Sequence, residues 1–91
     1  MKDIQSIQAT LLRIEELLRI GGSHEWASGL EALRGEIANE PGSGPGKVLS
    51  LYGGMGSFND IVLYRDGVLL VSENEALDKL RSELYELCSA G

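Results

Sequence analysis

At 91 residues the chain has the length of one domain, and so short a chain hides only about two thirds of its extended surface on folding, which leaves room for a single compact core. An apolar share of 43% with 24% charged residues of mixed sign excludes a disordered acidic chain. The formal charge of −6, with eight scattered Lys and Arg, excludes attraction to nucleic-acid phosphates or anionic lipid and favours solubility and a basic protein partner.

The opening MKDIQSIQ lacks the basic and apolar segments of a secretory signal, and no apolar run approaches the roughly 18 residues that cross a bilayer, so a cytoplasmic protein without membrane contact is expected. The single cysteine, Cys88, has no internal disulfide partner and reads as a small apolar residue near the end of a helix.

Ile4, Ile7, Leu11, Ile14 and Leu18 recur at three- and four-residue steps, with Leu12, Leu17 and Ile20 widening the stripe, so residues 3 to 20 predict an amphipathic helix. Gly21 and Gly22 stop it. Ser23 caps a second helix, Glu25 suits its positive end, and Trp26, Leu30, Leu33 and Ile37 form its buried face. The short connection implies an antiparallel helical hairpin. NEPGSGPG, residues 39 to 46, reads as a flexible Pro/Gly loop with nothing to bury. KVLSLY, residues 47 to 52, fits a strand or a short helix closed by Gly53, and the helix is favoured.

GGMGSFND, residues 53 to 60, places three glycines ahead of an apolar run. DIVLY and VLLV then flank RDG, and Asp-Gly between such runs is a strong hairpin signal, so residues 59 to 65 are expected to pair with residues 68 to 71. Ser72 and Glu75 have the spacing of a capping box opening a last helix, whose stripe is Leu77, Leu80, Leu84 and Leu87. Glu15 with Arg19 and Glu75 with Lys79 stand four apart in the order that supports a helix. The fold class is therefore α+β: one domain over residues 1 to 91, with a helical hairpin, a short element, a β-hairpin and a C-terminal helix.

LYGGMGSFNDIVLY, followed by DGVLLVSENEALDKLRSELYELC and preceded by HEWASGLEAL, resembles a family of small uncharacterised bacterial proteins that share a Gly-Gly-Met-Gly-Ser-Phe/Leu-Asn-Asp motif, over His24 to Cys88. The resemblance implies no activity, cofactor or catalytic residue. By analogy alone, small acidic proteins of this kind look like immunity or accessory proteins.

A phosphate cradle wants a strand before the glycines and a helix after them; here the glycines run into a predicted strand, no Lys follows, and a structural loop is the better reading. In that reading Ser57, Asn59 and Asp60 bond back to nearby amides. A hydrolase reading would make Ser57 the nucleophile, His24 the base and Asp60 the orienting carboxylate, but no nucleophile elbow surrounds Ser57. His24 and Cys88 are single and distant in sequence, so no metal site is expected, and no cofactor. Trp26 reads first as a core anchor.

The expected function is a non-enzymatic protein-binding module, an immunity-like inhibitor or accessory protein for a basic partner, with Met55, Phe58, Asn59, Asp60, His24 and Trp26 as contact residues. The alternatives are a small regulator of an anionic metabolite and the Ser57/His24/Asp60 hydrolase. Residues 21 to 40 and residues 61 to 91 each carry a net charge of −3, which would merge into one negative field if the second and last helices lay side by side. The nearly all-apolar hairpin needs cover on both faces or along an edge; a second copy of the chain and a sandwich between the glycine loop and the helical hairpin are equal candidates.

Overall fold

The computed structural model describes residues 3–53 and 57–89. Helix α1 spans Ile4–Ile20, α2 His24–Asn39 and α3 Gly44–Leu49; a 3₁₀ turn at Phe58–Asp60 leads to strands β1, Tyr64–Arg65, and β2, Val68–Leu69, and α4 runs over Val71–Ser89. The chain is α+β, helical at both ends with one antiparallel hairpin before the last helix. Its Cα radius of gyration is 12.8 Å, close to the roughly 12 Å of a compact chain of this length.

Helix α1 begins where the Asp3 carboxylate accepts from the Ser6 amide at 3.1 Å and the Ser6 hydroxyl at 2.6 Å; these bonds hold the Asp3 carboxyl below its usual range. It ends in a Schellman turn, with the Ser23 amide donating to the Leu18 carbonyl and the Gly22 amide to the Arg19 carbonyl while Gly22 takes φ +79°. That turn folds α2 back along α1. Helix α4 packs on α1 as well, and α3 bridges α4 and α2, so the four helices close a ring. Ile7, Leu11, Ile14 and Leu18 of α1 meet Ala27, Leu30, Leu33 and Ile37 of α2 and Leu77, Leu80, Leu84 and Cys88 of α4 in one core, with Val48, Phe58 and Leu63 filling its centre. Full burial of each Val, Leu, Ile or Phe side chain among them contributes about 1.5–3 kcal/mol.

A partly buried ion pair joins α1 to α2. The Arg34 guanidinium donates to both Glu15 oxygens, Nε at 2.8 Å and Nη2 at 3.2 Å, and the Glu15 side chain is only 4% exposed. The hydrogen bond to Glu15 raises the Arg34 pKa. Arg19 pairs with Glu31 at 3.0 Å on the same seam.

Several expectations change. Glu15 and Arg19 each pair across to α2 rather than with one another, because a fixed partner on a packed neighbour outcompetes an exposed contact within a helix; Glu75 and Lys79 form no ion pair among the described residues. Leu12 and Ile20 do not widen the α1 stripe: they are 43% and 40% exposed. The stretch from 39 to 46 divides, since α3 starts at Gly44 with Pro45 in its first turn. Both residues are buried, and a Cβ at Gly44 would come within 2.7 Å of Ile37. The helical reading of residues 47–52 holds as far as Leu49, but Ser50 rather than Gly53 ends the helix. Ser23 stands at the N-cap of α2 without a side-chain bond; only its carbonyl serves, accepting from Ala27.

The hairpin is shorter than expected. Tyr64 pairs with Leu69 and Arg65 with Val68, and Asp66 and Gly67 form the turn with φ +52° and +76°. One further bond runs from the Leu70 amide to the Leu63 carbonyl. There the ladder stops, because Asn74 takes Leu63 over: its side-chain oxygen accepts from the Leu63 amide at 2.8 Å, and its Nδ2 donates to the carbonyls of Leu63 and Leu70 at 2.9 and 2.8 Å. The chain enters α4 directly at Val71, so Ser72 lies inside the helix and the expected Ser72–Glu75 box is not formed. Helix α2 and helix α4 face each other across the ring rather than side by side, which separates the two acidic segments.

Replacing Asn74 with Ala leaves the partly buried Leu63 amide without its acceptor and removes a second donor from the carbonyls of Leu63 and Leu70, which keep the backbone amides of Leu70 and of residue 74. The expected cost is about 2–3 kcal/mol, read in urea unfolding, whereas Asn39→Ala at the exposed end of α2 should stay within about 0.5 kcal/mol.

Candidate functional site

The segment after the glycines is pinned from below by α4. The Arg81 guanidinium is buried, its Nη1 donating to the Phe58 carbonyl at 2.8 Å and the Ile61 carbonyl at 3.2 Å, and its Nη2 pairing with Asp78. Ser57 and Asp60 then cap the 3₁₀ turn reciprocally: the Ser57 side chain accepts from the Asp60 amide and the Asp60 carboxylate from the Ser57 amide. The turn drives Phe58 into the core, where it is fully enclosed. Aromatic rings gather around it, Trp26 with centroids 5.7 Å apart and Tyr52 edge-on at 5.3 Å, with Tyr85 edge-on to Tyr52 at 5.2 Å. The Tyr52 hydroxyl donates to the Arg81 carbonyl at 2.7 Å, and burial raises its pKa well above that of a free phenol.

Three clefts open around this aromatic group. An apolar groove of about 460 Å³ between α2 and α3 is lined by Trp26, Leu30, Leu33 and Leu51, with Glu25, Glu36 and Lys47 at its rim. A smaller hollow of about 280 Å³ on the other side of Trp26 is lined by Ser57, Asp60 and Val62. A polar cleft of about 460 Å³ lies over Tyr52, Asn59, Asp78, Arg81 and Tyr85. Trp26 is half-buried and forms the ridge between the first two.

Of the residues expected to touch a partner, Trp26, Asn59 and Asp60 reach these clefts, and His24 is exposed at the first position of α2. Phe58 is a correction: a fully enclosed ring meets no partner, and its role is to seat the rings around it. Met55, Gly54 and Gly56 lie outside the described residues. Ser57 and Asp60 share a hollow whose lining does not include His24, and their side chains serve each other's amides. No group of His, Cys, Asp and Glu that could hold a metal ion forms among the described residues, and none of their helices is long and apolar enough to cross a membrane. Arg81, Asn74 and the Glu15–Arg34 pair are the polar residues that sequence reasoning missed. Each falls on an apolar stripe, Arg81 four residues after Leu77 and Glu15 four after Leu11, and that position was the available signal.

A family described as a domain of unknown function, DUF6966, matches the chain over residues 19–71. The match covers more than half of the chain, from the last turn of α1 to the first residue of α4. No curated protein and no solved structure matches the chain.

Tyr52 gives the site a pH signature. Its folded pKa is raised above the ordinary value near 10, so the stability it contributes is present below about pH 10 and is lost as pH climbs further, when the unfolded chain releases the proton and the folded one does not. In an alkaline absorbance titration one of the three tyrosines should stay protonated until the protein unfolds, and Tyr52→Phe should remove that late step.

Proposed function

The chain belongs to the family DUF6966, and on the chemistry of its surface we propose that it is a non-enzymatic protein-binding module: an immunity-like inhibitor or accessory protein that takes a basic partner in the groove beside Trp26. The observation that carries this reading is a half-buried tryptophan on a ridge between two hollows, with an apolar floor and carboxylates at the rim. Tryptophan in such a setting is the commonest anchor of a protein interface, since it offers a large apolar area with little rotamer entropy to lose.

The charges of α2 support a basic occupant. Glu31 and Arg34 turn towards α1, where Arg19 and Glu15 hold them. Glu25 and Glu36 turn the other way, to the groove, where only Lys47 lies opposite, 3.9 Å from Glu36. With Asp60 across the ridge, the groove and its surround keep a net negative charge. An amphipathic helix with Lys or Arg beside its apolar anchors matches that pattern.

Charge reversal tests it. Glu25→Lys with Glu36→Lys leaves the core untouched and should slow association with the partner about tenfold, and added salt should slow the wild type in the same way. A protein captured from the native organism that is not basic, or that binds the reversed variant as fast as the wild type, overturns the reading.

Against the hydrolase alternative stands the use of Ser57 and Asp60 as a mutual cap. Ser57→Ala should cost about 1 kcal/mol of stability and leave partner binding in place. Covalent labelling of Ser57 by a fluorophosphonate would reverse this conclusion.

A further inference from the structure

Within the groove beside Trp26, helix α2 presents a hole of defined outline. On a helix surface residues three and four apart are neighbours, so Trp26, Gly29, Leu30 and Leu33, at steps of three, four and seven, enclose a four-sided gap, and all four line the groove. A gap with this spacing accepts one side chain of a facing helix in knobs-into-holes packing. Leu30 and Leu33 are buried and form its floor, the half-buried Trp26 stands as one wall, and Gly29 leaves the fourth corner open. Leu51, two residues past α3, lines the groove from the α3 side.

The fold of this chain does not call for glycine at that corner. Gly29 lies in the interior of α2 without a positive φ, and a Cβ there would meet nothing within 4 Å among the described residues. Glycine inside a helix lowers stability relative to alanine. What it provides is room, since a larger residue at this corner would narrow the hole that the other three enclose.

Charge fixes what flanks an occupant. Glu25 lies four residues before Gly29 and Glu36 three after Leu33, so along the helix axis their positions are roughly 7 and 10 Å from the centre of the hole. Glu36 has Lys47 at 3.9 Å. Glu25 is then the groove carboxylate with no ion pair among the described residues. On a helix laid along α2, a Lys or Arg one turn from an inserted side chain comes level with it.

We propose that the hole at Trp26, Gly29, Leu30 and Leu33 is a socket for one large apolar side chain, Leu, Met or Phe, on a partner's α-helix that carries a Lys or Arg one turn away. This socket rests on the reading of the groove as the site of a basic partner, and it names the part of that partner which enters. Gly29 decides which partners fit, because it sets the size of the hole at no cost in contacts within the chain.

The probe is a synthetic helical peptide of about 18 residues, built of Ala and Lys with one stripe of leucines, beside the same peptide with its leucines changed to Ala. Neither contains tryptophan, so the emission of Trp26, the chain's one tryptophan, reads occupancy. The leucine peptide should shift that emission saturably with a half-point below about 1 mM, and the alanine peptide should bind at least about tenfold more weakly. Gly29→Leu, which fills the hole, should weaken binding at least about tenfold, and Gly29→Ala about threefold or more, while both melt at or above the temperature of the wild type. Gly35→Leu, in the same helix but outside the groove lining, should gain similar stability and bind as the wild type does. Unchanged binding by Gly29→Leu and Gly29→Ala, or a wild type that does not bind the leucine peptide, overturns the socket. Glu25→Lys with Glu36→Lys separates shape from charge. Binding that Gly29→Leu loses but the reversed variant keeps supports the hole and refutes the basic partner; binding that the reversed variant loses but Gly29→Leu keeps does the opposite.

Discussion

The buried Arg81 guanidinium is the contact on which the second half of the molecule depends. A charge out of water is tolerated only when its donors are met, and here the Phe58 and Ile61 carbonyls and the Asp78 carboxylate meet them. The same bonds fix the backbone from 58 to 61 against α4, and that backbone puts Phe58 at the centre of the core. Trp26 and Tyr52 then have a ring to pack on. The Trp26 ridge follows from a salt-bridged arginine on another helix, and not from α2 alone.

Asn74 does the corresponding work one turn from the start of α4. It replaces the rungs that would have lengthened the hairpin and ties the hairpin's base to the helix that follows. The result is a short arm held rigidly at its root, with Leu63 anchored inward. Holding the root fixes which side chains turn outward, since the alternation counted from Leu63 leaves no choice at Val62 and Tyr64. An arm free to slip by one residue would have exchanged its buried and exposed sets.

Regular features could be read directly from the amino-acid order. The stripe Ile7, Leu11, Ile14 and Leu18, the stop at Gly21 and Gly22, the turn at Asp66 and Gly67 and the run Leu77, Leu80 and Leu84 all depend on neighbours in sequence, and all are found. The larger failures depend on partners far along the chain. Glu15 is set by Arg34, 19 residues on, and the turn at Phe58 by Arg81, 23 residues on. The end of the hairpin is set by Asn74, 11 residues from Leu63. A capping box was expected at the start of α4 and occurs instead at Ser57 and Asp60, because the hairpin feeds α4 without a gap. Phe58 was misplaced to the surface for the same reason: beside glycines it reads as a loop residue, and only the arginine beneath it turns it inward.

The formal charge of −6 is a poor guide to where the molecule is acidic. Arg19, Arg34, Lys47 and Arg81, half of the eight basic side chains, are committed to ion pairs. Three of these pairs link different helices, and two of them neutralise the seam between α1 and α2. Carboxylates without such partners remain at the groove beside Trp26, at Glu25, while the hairpin carries one charge of each sign. Pairing therefore sorts a uniformly acidic composition into a neutral seam, an acidic groove and a neutral apolar arm. Screened interactions beyond about 8 Å contribute little at physiological salt, so each of these surfaces answers mainly to its own neighbours rather than to the net charge of the chain.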